Sequence, residues 1–138
     1  MLSFGYQILW NHIFTLIELQ GLDPYYACLH QGTERHAALA SDLIEEFRTP
    51  LIDSLVLWLV NTKVMNENED FEYYNSGCYL NSNGRTKYIK YFLQKLEEEV
   101  QNQQEEKQPR WDLITQQIKN FKEFVYQPSK IYQPYLIR

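Results

Sequence analysis

HAALASDLIEEFRTPLIDSLVLWLVNT, residues 36–62, decides the architecture. Leu39, Leu43, Ile44 and Phe47 recur every three or four positions, which predicts an amphipathic helix from near His36 through Arg48. Thr49-Pro50 then sets a capping residue before a proline, whose missing N–H is tolerated only in a first helical turn. Residues 50–62 are therefore predicted as a new helix or a kinked continuation, and both pieces are apolar enough to be core.

Upstream, residues 3–20 carry apolar groups at 6, 9, 10, 13, 16 and 17, with Ser3 as a cap and Gly21 as the stop. Phe4, Ile8, Phe14 and Leu19 lie off that stripe, so this helix expects partners on nearly every side, some of them outside the chain. Asp23-Pro24 predicts a short helix ending near His30, followed by a turn at QGT. Downstream, MNENED (65–70) reads as an acidic loop and FEYYNSGCYL (71–80) as a small hairpin turning at Asn75-Ser76-Gly77. A helix is expected from Asn81 or Asn83 to about Gln103, then a polar linker QNQQEEKQP, then a last helix over 110–126. The tail YQPSKIYQPYLIR, with two prolines, should be extended. The fold class expected is mainly α: a single helical domain over 1–138 with a small β-hairpin near 71–80.

A chain of 138 residues with 44% hydrophobic and 15% aromatic content suits one core. No apolar run reaches the roughly 18 residues of a membrane span, and MLSFGYQILW has neither a basic start nor a small-residue cleavage pattern. A cytoplasmic setting with no membrane partner is expected. Cys28 and Cys78 lack CxxC spacing and read as buried thiols. Net charge is −5, yet residues 107–138 hold 6 basic and 2 acidic groups, and Arg85, Lys87, Lys90 and Lys95 form a second basic run without acids. Such clusters either face a polyanion or form a solvated helix face.

Asp42 and Glu45, three apart on a helix, project from one side about a turn apart, as two oxygens reaching one divalent cation must. His30 on the preceding segment would make a mixed nitrogen and oxygen site suited to manganese, or to magnesium with several waters. Spacing alone leaves the plain alternatives open: carboxylates at this interval are common on solvated faces, and a histidine in a last helical turn suits the helix dipole. Glu46 points further round and is expected to be solvated or paired with Arg48 or Arg35. His12 reads as a core or interface group, and His36 as lying at the start of the next helix.

LSFGYQILWNH, GLDPYYACLHQG and ASDLIEEFRTPLIDSLVLWLV, in this order, resemble the helical carboxy-terminal domain of the universal CRISPR-associated endonuclease/integrase of spacer acquisition, Cas one. The resemblance continues through GCYLNSNGRTKYIKYFLQKLE and ITQQIKNF to YQPYLIR, spanning this chain but only about half of the family's. It implies a divalent metal, Mg2+ or Mn2+, held by a glutamate, a histidine and an acid. His30 falls on the histidine, and Glu45 on the acid with Asp42 as its neighbour. The family's glutamate lies upstream of LSFGY, so the chain is expected to be truncated at its amino terminus and weakly active or inactive alone.

The chemistry implied is attack of a protospacer's terminal hydroxyl on a phosphodiester of the CRISPR repeat, with His30, Asp42 and Glu45 as catalytic residues. Arg48 is expected to orient the carboxylates through a forked ion pair and, with Arg85, Lys87 and Lys90, to contact DNA. The small protein Cas two is the partner the resemblance implies, and a homodimer is expected through the all-round apolar first helix. The alternative is a non-catalytic helical remnant that binds DNA or protein.

Overall fold

The computed structural model describes residues 1–29, 36–101, 106–127 and 129–135. Helix α1 spans Leu2–Leu19 and buries Gly5, Leu9, Ile13 and Ile17, a stripe repeating every four residues. Met1, not Ser3, occupies the cap position. The helix stops as the sequence predicts, because Gly21 takes φ +70. The Leu22 N–H then reaches the Ile17 carbonyl at 3.1 Å and the Gly21 N–H reaches that of Glu18 at 2.9 Å, a paired closure of the last turn. Lys122, from the last helix, donates to the Gln20 carbonyl at 2.6 Å and satisfies another of the exposed acceptors there.

The deciding stretch is one kinked rib. Helix α2 (Ala38–Phe47) runs into a π-helical turn (Arg48–Asp53) and on into α3 (Ser54–Asn61). Pro50 has no N–H to give, and its ring would strike the carbonyl four residues back in a regular α-helix; widening the turn removes the conflict. Of the two readings of Thr49-Pro50, the structure has the kinked continuation. Leu39, Leu43, Ile44, Phe47, Leu51, Ile52, Leu55 and Leu59 are all buried along the rib.

The short helix expected after Asp23-Pro24 is absent among the described residues 22–29. The Asp23 side chain instead accepts from the Tyr25 N–H at 2.9 Å, and the Pro24 carbonyl is taken by the Leu39 N–H at 2.9 Å. These groups serve a turn and the start of α2, so no i to i+4 ladder forms.

Beyond the rib, the expected acidic loop contains a one-turn helix, α4 (Glu67–Asp70), which leads into β1 (Phe71–Tyr74), β2 (Gly77–Leu80) and α5 (Ser82–Glu97). Strands β1 and β2 are antiparallel in the register Phe71 to Leu80 and Tyr74 to Gly77. Both turn residues, Asn75 and Ser76, have positive φ, the geometry that matches the twist of a two-residue hairpin. Helix α5 is shorter than predicted. Two paired strands follow it: β3 (Glu99–Gln101), in residues predicted as the helix's end, and β4 (Lys107–Pro109), in the polar linker, with 102–105 outside the described residues. Helix α6 (Arg110–Tyr126) has the predicted limits.

Asp70 is fully buried where α4, β1 and α5 meet. Its carboxylate accepts from the Asn66 N–H at 2.8 Å, the Asn83 amide at 2.7 Å and the Lys87 ammonium at 2.9 Å. Gly84 passes so close that a Cβ there would lie 2.1 Å from the Asp70 carbonyl oxygen.

Much of the first helix is partly covered within the chain. Phe4, Tyr6, Ile8, Trp10, Phe14 and Leu16 pack against the core, leaving Leu2 and Leu19 as its exposed large hydrophobics. The predicted buried thiols are both exposed: Cys28 lies on the loop before α2 and Cys78 on a hairpin strand. Among the described residues, no helix is long and apolar enough to cross a membrane.

Candidate functional site

Glu45 projects from α2 into a cleft of about 670 Å³. Ser3, Tyr6, Gln7 and Trp10 of α1 form one wall, and His36, Ser41, Ile44, Glu45 and Arg48 form the other. The α1 residues are spaced three and four apart and so share a face. Arg48 donates to Glu45 Oε1 at 2.7 Å, a single contact and not the expected fork. Its guanidinium also lies 4.4 Å from the centre of the Tyr6 ring. Glu45, ahead of the Tyr6 contact, holds the Arg48 pKa above its ordinary value. Tyr6 donates to Asp53 Oδ1, and Thr49 donates to Oδ2 of the same carboxylate at 3.1 Å. The bond to Asp53 pushes the Tyr6 phenol up. The π-turn thus brings Arg48, Thr49 and Asp53 to one side, against α1.

Asp42 does not line the cleft with Glu45. It is 9% exposed, and its Oδ2 accepts from the Cys28 N–H at 2.7 Å and the Leu29 N–H at 2.8 Å. The carboxylate therefore fixes the backbone immediately before position 30. His30, like Glu34 and Arg35, lies outside the described residues. Among the described residues no three His, Cys, Asp or Glu side chains come together as a metal cluster. Glu45 is the right kind of oxygen donor for a hard cation, but the described side chains do not by themselves complete a ligand set.

The expectation for Glu46 is overturned. It is not solvated: Tyr132 donates to Oε1, while Gln117 Nε2 at 3.0 Å and the Tyr135 N–H at 2.6 Å reach Oε2. Tyr135 stacks on Phe47 at 5.4 Å, so the tail is drawn over the back of α2. Burial pushes the Glu46 carboxyl above its usual range, and the bonds from Tyr132, Tyr135 and Gln117 pull the other way. Tyr132→Phe should therefore cost about 1–2 kcal/mol in urea unfolding, the price of one lost donor to a charged acceptor. An unchanged midpoint would show that the tail does not brace α2.

The remaining predicted residues occupy varied places. Lys87 is turned onto Asp70. Arg85 donates through Nε to the Leu80 carbonyl at 2.9 Å and stands 3.6 Å from Glu72, tying the hairpin to α5. Lys90 extends over the Tyr91 ring at 5.7 Å. His12 is half-buried, and burial lowers its pKa. His36 precedes α2, which starts at Ala38, and its Nε2 lies 3.1 Å from Ser41 Oγ. The sequence reading passed over Tyr6, Trp10 and Ser41; the polar and aromatic residues at 3, 6, 7 and 10 were the available sign.

Residues 1–94 match the family described as CRISPR associated protein Cas1. Over 101 residues the chain is 37% identical to CRISPR-associated endonuclease Cas1 1 of Archaeoglobus fulgidus, covering 73% of this chain and 29% of that protein. The share is smaller than the half expected from the sequence. A solved casposase bound to integration product superposes with a TM-score of 0.88 at 23% identity, covering 99% of this chain and 38% of that one. A solved Cas6-RT-Cas1–Cas2 complex gives 0.80 at 21% identity, over 100% of this chain and 15% of that one. At those identities the likeness is one of fold. With the family pattern covering α1, the rib, the hairpin and most of α5, the chain belongs to the CRISPR associated protein Cas1 family.

Proposed function

We propose that this chain is the helical, DNA-handling part of a divalent-metal-dependent endonuclease/integrase of CRISPR spacer acquisition, and is weakly active or inactive as these 138 residues alone. The observation that carries the reading is the cleft in which Glu45 and Arg48 face α1, within a domain of this family. Glu45, with Asp42 and His30, would hold Mg2+ or Mn2+. The ion, when bound, supplies positive charge against the phosphate under attack.

Arg48 orients Glu45 in this scheme, and Asp42 fixes the approach to position 30. DNA is the substrate class, in keeping with the casposase whose solved structure holds an integration product. A Cas2 partner belongs to the same proposal, in keeping with the solved complex of this fold that contains Cas2. Lys90 is the better-placed phosphate contact, since Lys87 and Arg85 are tied to Asp70 and to the hairpin and Arg48 to Glu45.

Fluorescence anisotropy with branched and duplex DNA tests the proposal. Affinity should fall steeply as salt rises from 50 to 200 mM, because phosphate contacts release counterions. Manganese should tighten binding in the wild type and leave Glu45→Ala unmoved. Absence of salt-dependent binding would overturn the reading.

A further inference from the structure

The cleft holds one histidine that the metal scheme does not use. His36 stands at its rim, exposed, and among the described residues its ring bonds only to Ser41, with Nε2 3.1 Å from the hydroxyl oxygen. Ser41 is in turn held by Trp10, whose indole N–H donates to the same oxygen at 3.2 Å. Trp10 stacks on Phe14 at 5.4 Å, which fixes the indole against α1.

This order of donors has a chemical consequence. An indole N–H can only donate, so it occupies one lone pair of Ser41 Oγ and leaves one lone pair and one proton. The hydroxyl can therefore give its proton to a bare ring nitrogen or accept one from a ring N–H. Either way the imidazole keeps its orientation, and Nδ1 remains on the edge turned away from Ser41. Across the cleft is Tyr6 on α1, and along the same wall as His36 is the Glu45–Arg48 pair on the rib. Arg48 is already engaged by Glu45 and by the Tyr6 ring. His36 is the cleft's other basic side chain among the described lining residues, and it carries no carboxylate partner there. Ser3 and Gln7 add further polar groups along the same wall.

We propose that His36, oriented by Ser41 and Trp10, contacts a backbone phosphate of nucleic acid lying in the cleft beside Arg48. The inference rests on the DNA-binding reading above and adds to it a residue that positions the strand without holding metal. His36 is a binding residue here, and Ser41 is a positioning residue that acts through it.

The test is anisotropy with single-stranded and branched DNA in the absence of divalent metal, using the full chain and the variants His36→Gln, His36→Arg and Ser41→Ala. His36→Gln should weaken binding about tenfold, as expected for a hydrogen bond to a charged group. His36→Arg should restore most of the affinity, and Ser41→Ala should lose about threefold. A scan replacing single phosphates with neutral methylphosphonates then separates contact from structure. One linkage should weaken the wild type about tenfold and leave His36→Gln unaffected, which a merely structural role cannot produce. Equal losses in both proteins at every linkage, or an unchanged affinity in His36→Gln, would overturn the His36 assignment. Failure of the wild type to bind DNA at all would overturn the functional reading on which it rests.

Discussion

Asp70→Ala should lose about 3 kcal/mol of stability in urea unfolding, the lower end for breaking a buried ion pair, since Lys87 is partly exposed and can turn to water. The side chain is fully buried, and its three donors come from the residue before α4 and from the first turns of α5. Removing it takes away the Asn66 N–H's acceptor and leaves the Asn83 amide only its 3.5 Å bond to the Glu69 carbonyl, while Gly84 holds α5 too close for the gap to be refilled by a shift. Lys87→Met should cost less, because the other two donors remain.

Acid titration adds an independent check. Burial by itself would raise the Asp70 carboxyl, but the Asn66 N–H and the Lys87 ammonium outweigh it and hold the group below the usual carboxylate range. A folded pKa below the unfolded one gives stability that is present above the ordinary value of about 3.9 and is lost as pH falls through the folded value. The wild type should therefore lose stability more steeply than Asp70→Asn as pH falls below about 4. Parallel acid curves, or a loss under 0.5 kcal/mol in Asp70→Ala, would remove Asp70 from this role.

Asp42→Ala should have the next largest effect, about 3 kcal/mol spent locally, since two backbone N–H groups lose a charged acceptor. The loss falls on the loop between Leu22 and α2. Chymotrypsin cleavage after Tyr25 or Tyr26, both already exposed, should accelerate at least tenfold. Manganese-dependent binding should fall with it, because the backbone at Cys28 and Leu29 is no longer held. Asp42→Asn keeps one acceptor oxygen and should lie between. If proteolysis of Asp42→Ala matched the wild type, the anchoring role would fail, and the metal-ligand reading of Asp42 would stand alone.

The rib, the last helix and the first hairpin were legible because each rests on local chemistry: apolar spacing, a cap before a proline, or a short polar turn between aromatic runs. What could not be read depended on partners distant in sequence. Spacing marks Asp42 as half of a ligand pair, but it does not show that the Cys28 and Leu29 amides converge on it. Glu46 looks solvated by register, yet Tyr132 lies 86 residues away in a tail whose prolines say only that it is extended. Asp70 sits in a run that composition marks as an acidic loop, and only Asn83 and Lys87 from the first two turns of α5 make it a buried anion. Asp23-Pro24 carries the same signal as Thr49-Pro50, and the difference is made by Leu39, whose N–H takes the Pro24 carbonyl.

The π-turn at Arg48–Asp53 also bears on how this chain is compared with others. A wide turn holds one residue more than an α-turn, and one residue is about 100° of helical rotation. Deleting Pro50 would let the backbone close into regular helix and swing Leu55 and Leu59 out of the core, while Asp53 would leave Tyr6. A one-residue gap in this segment between two otherwise similar chains is therefore a change of facing for everything downstream, and residue equivalences drawn straight through it would pair inward positions with outward ones.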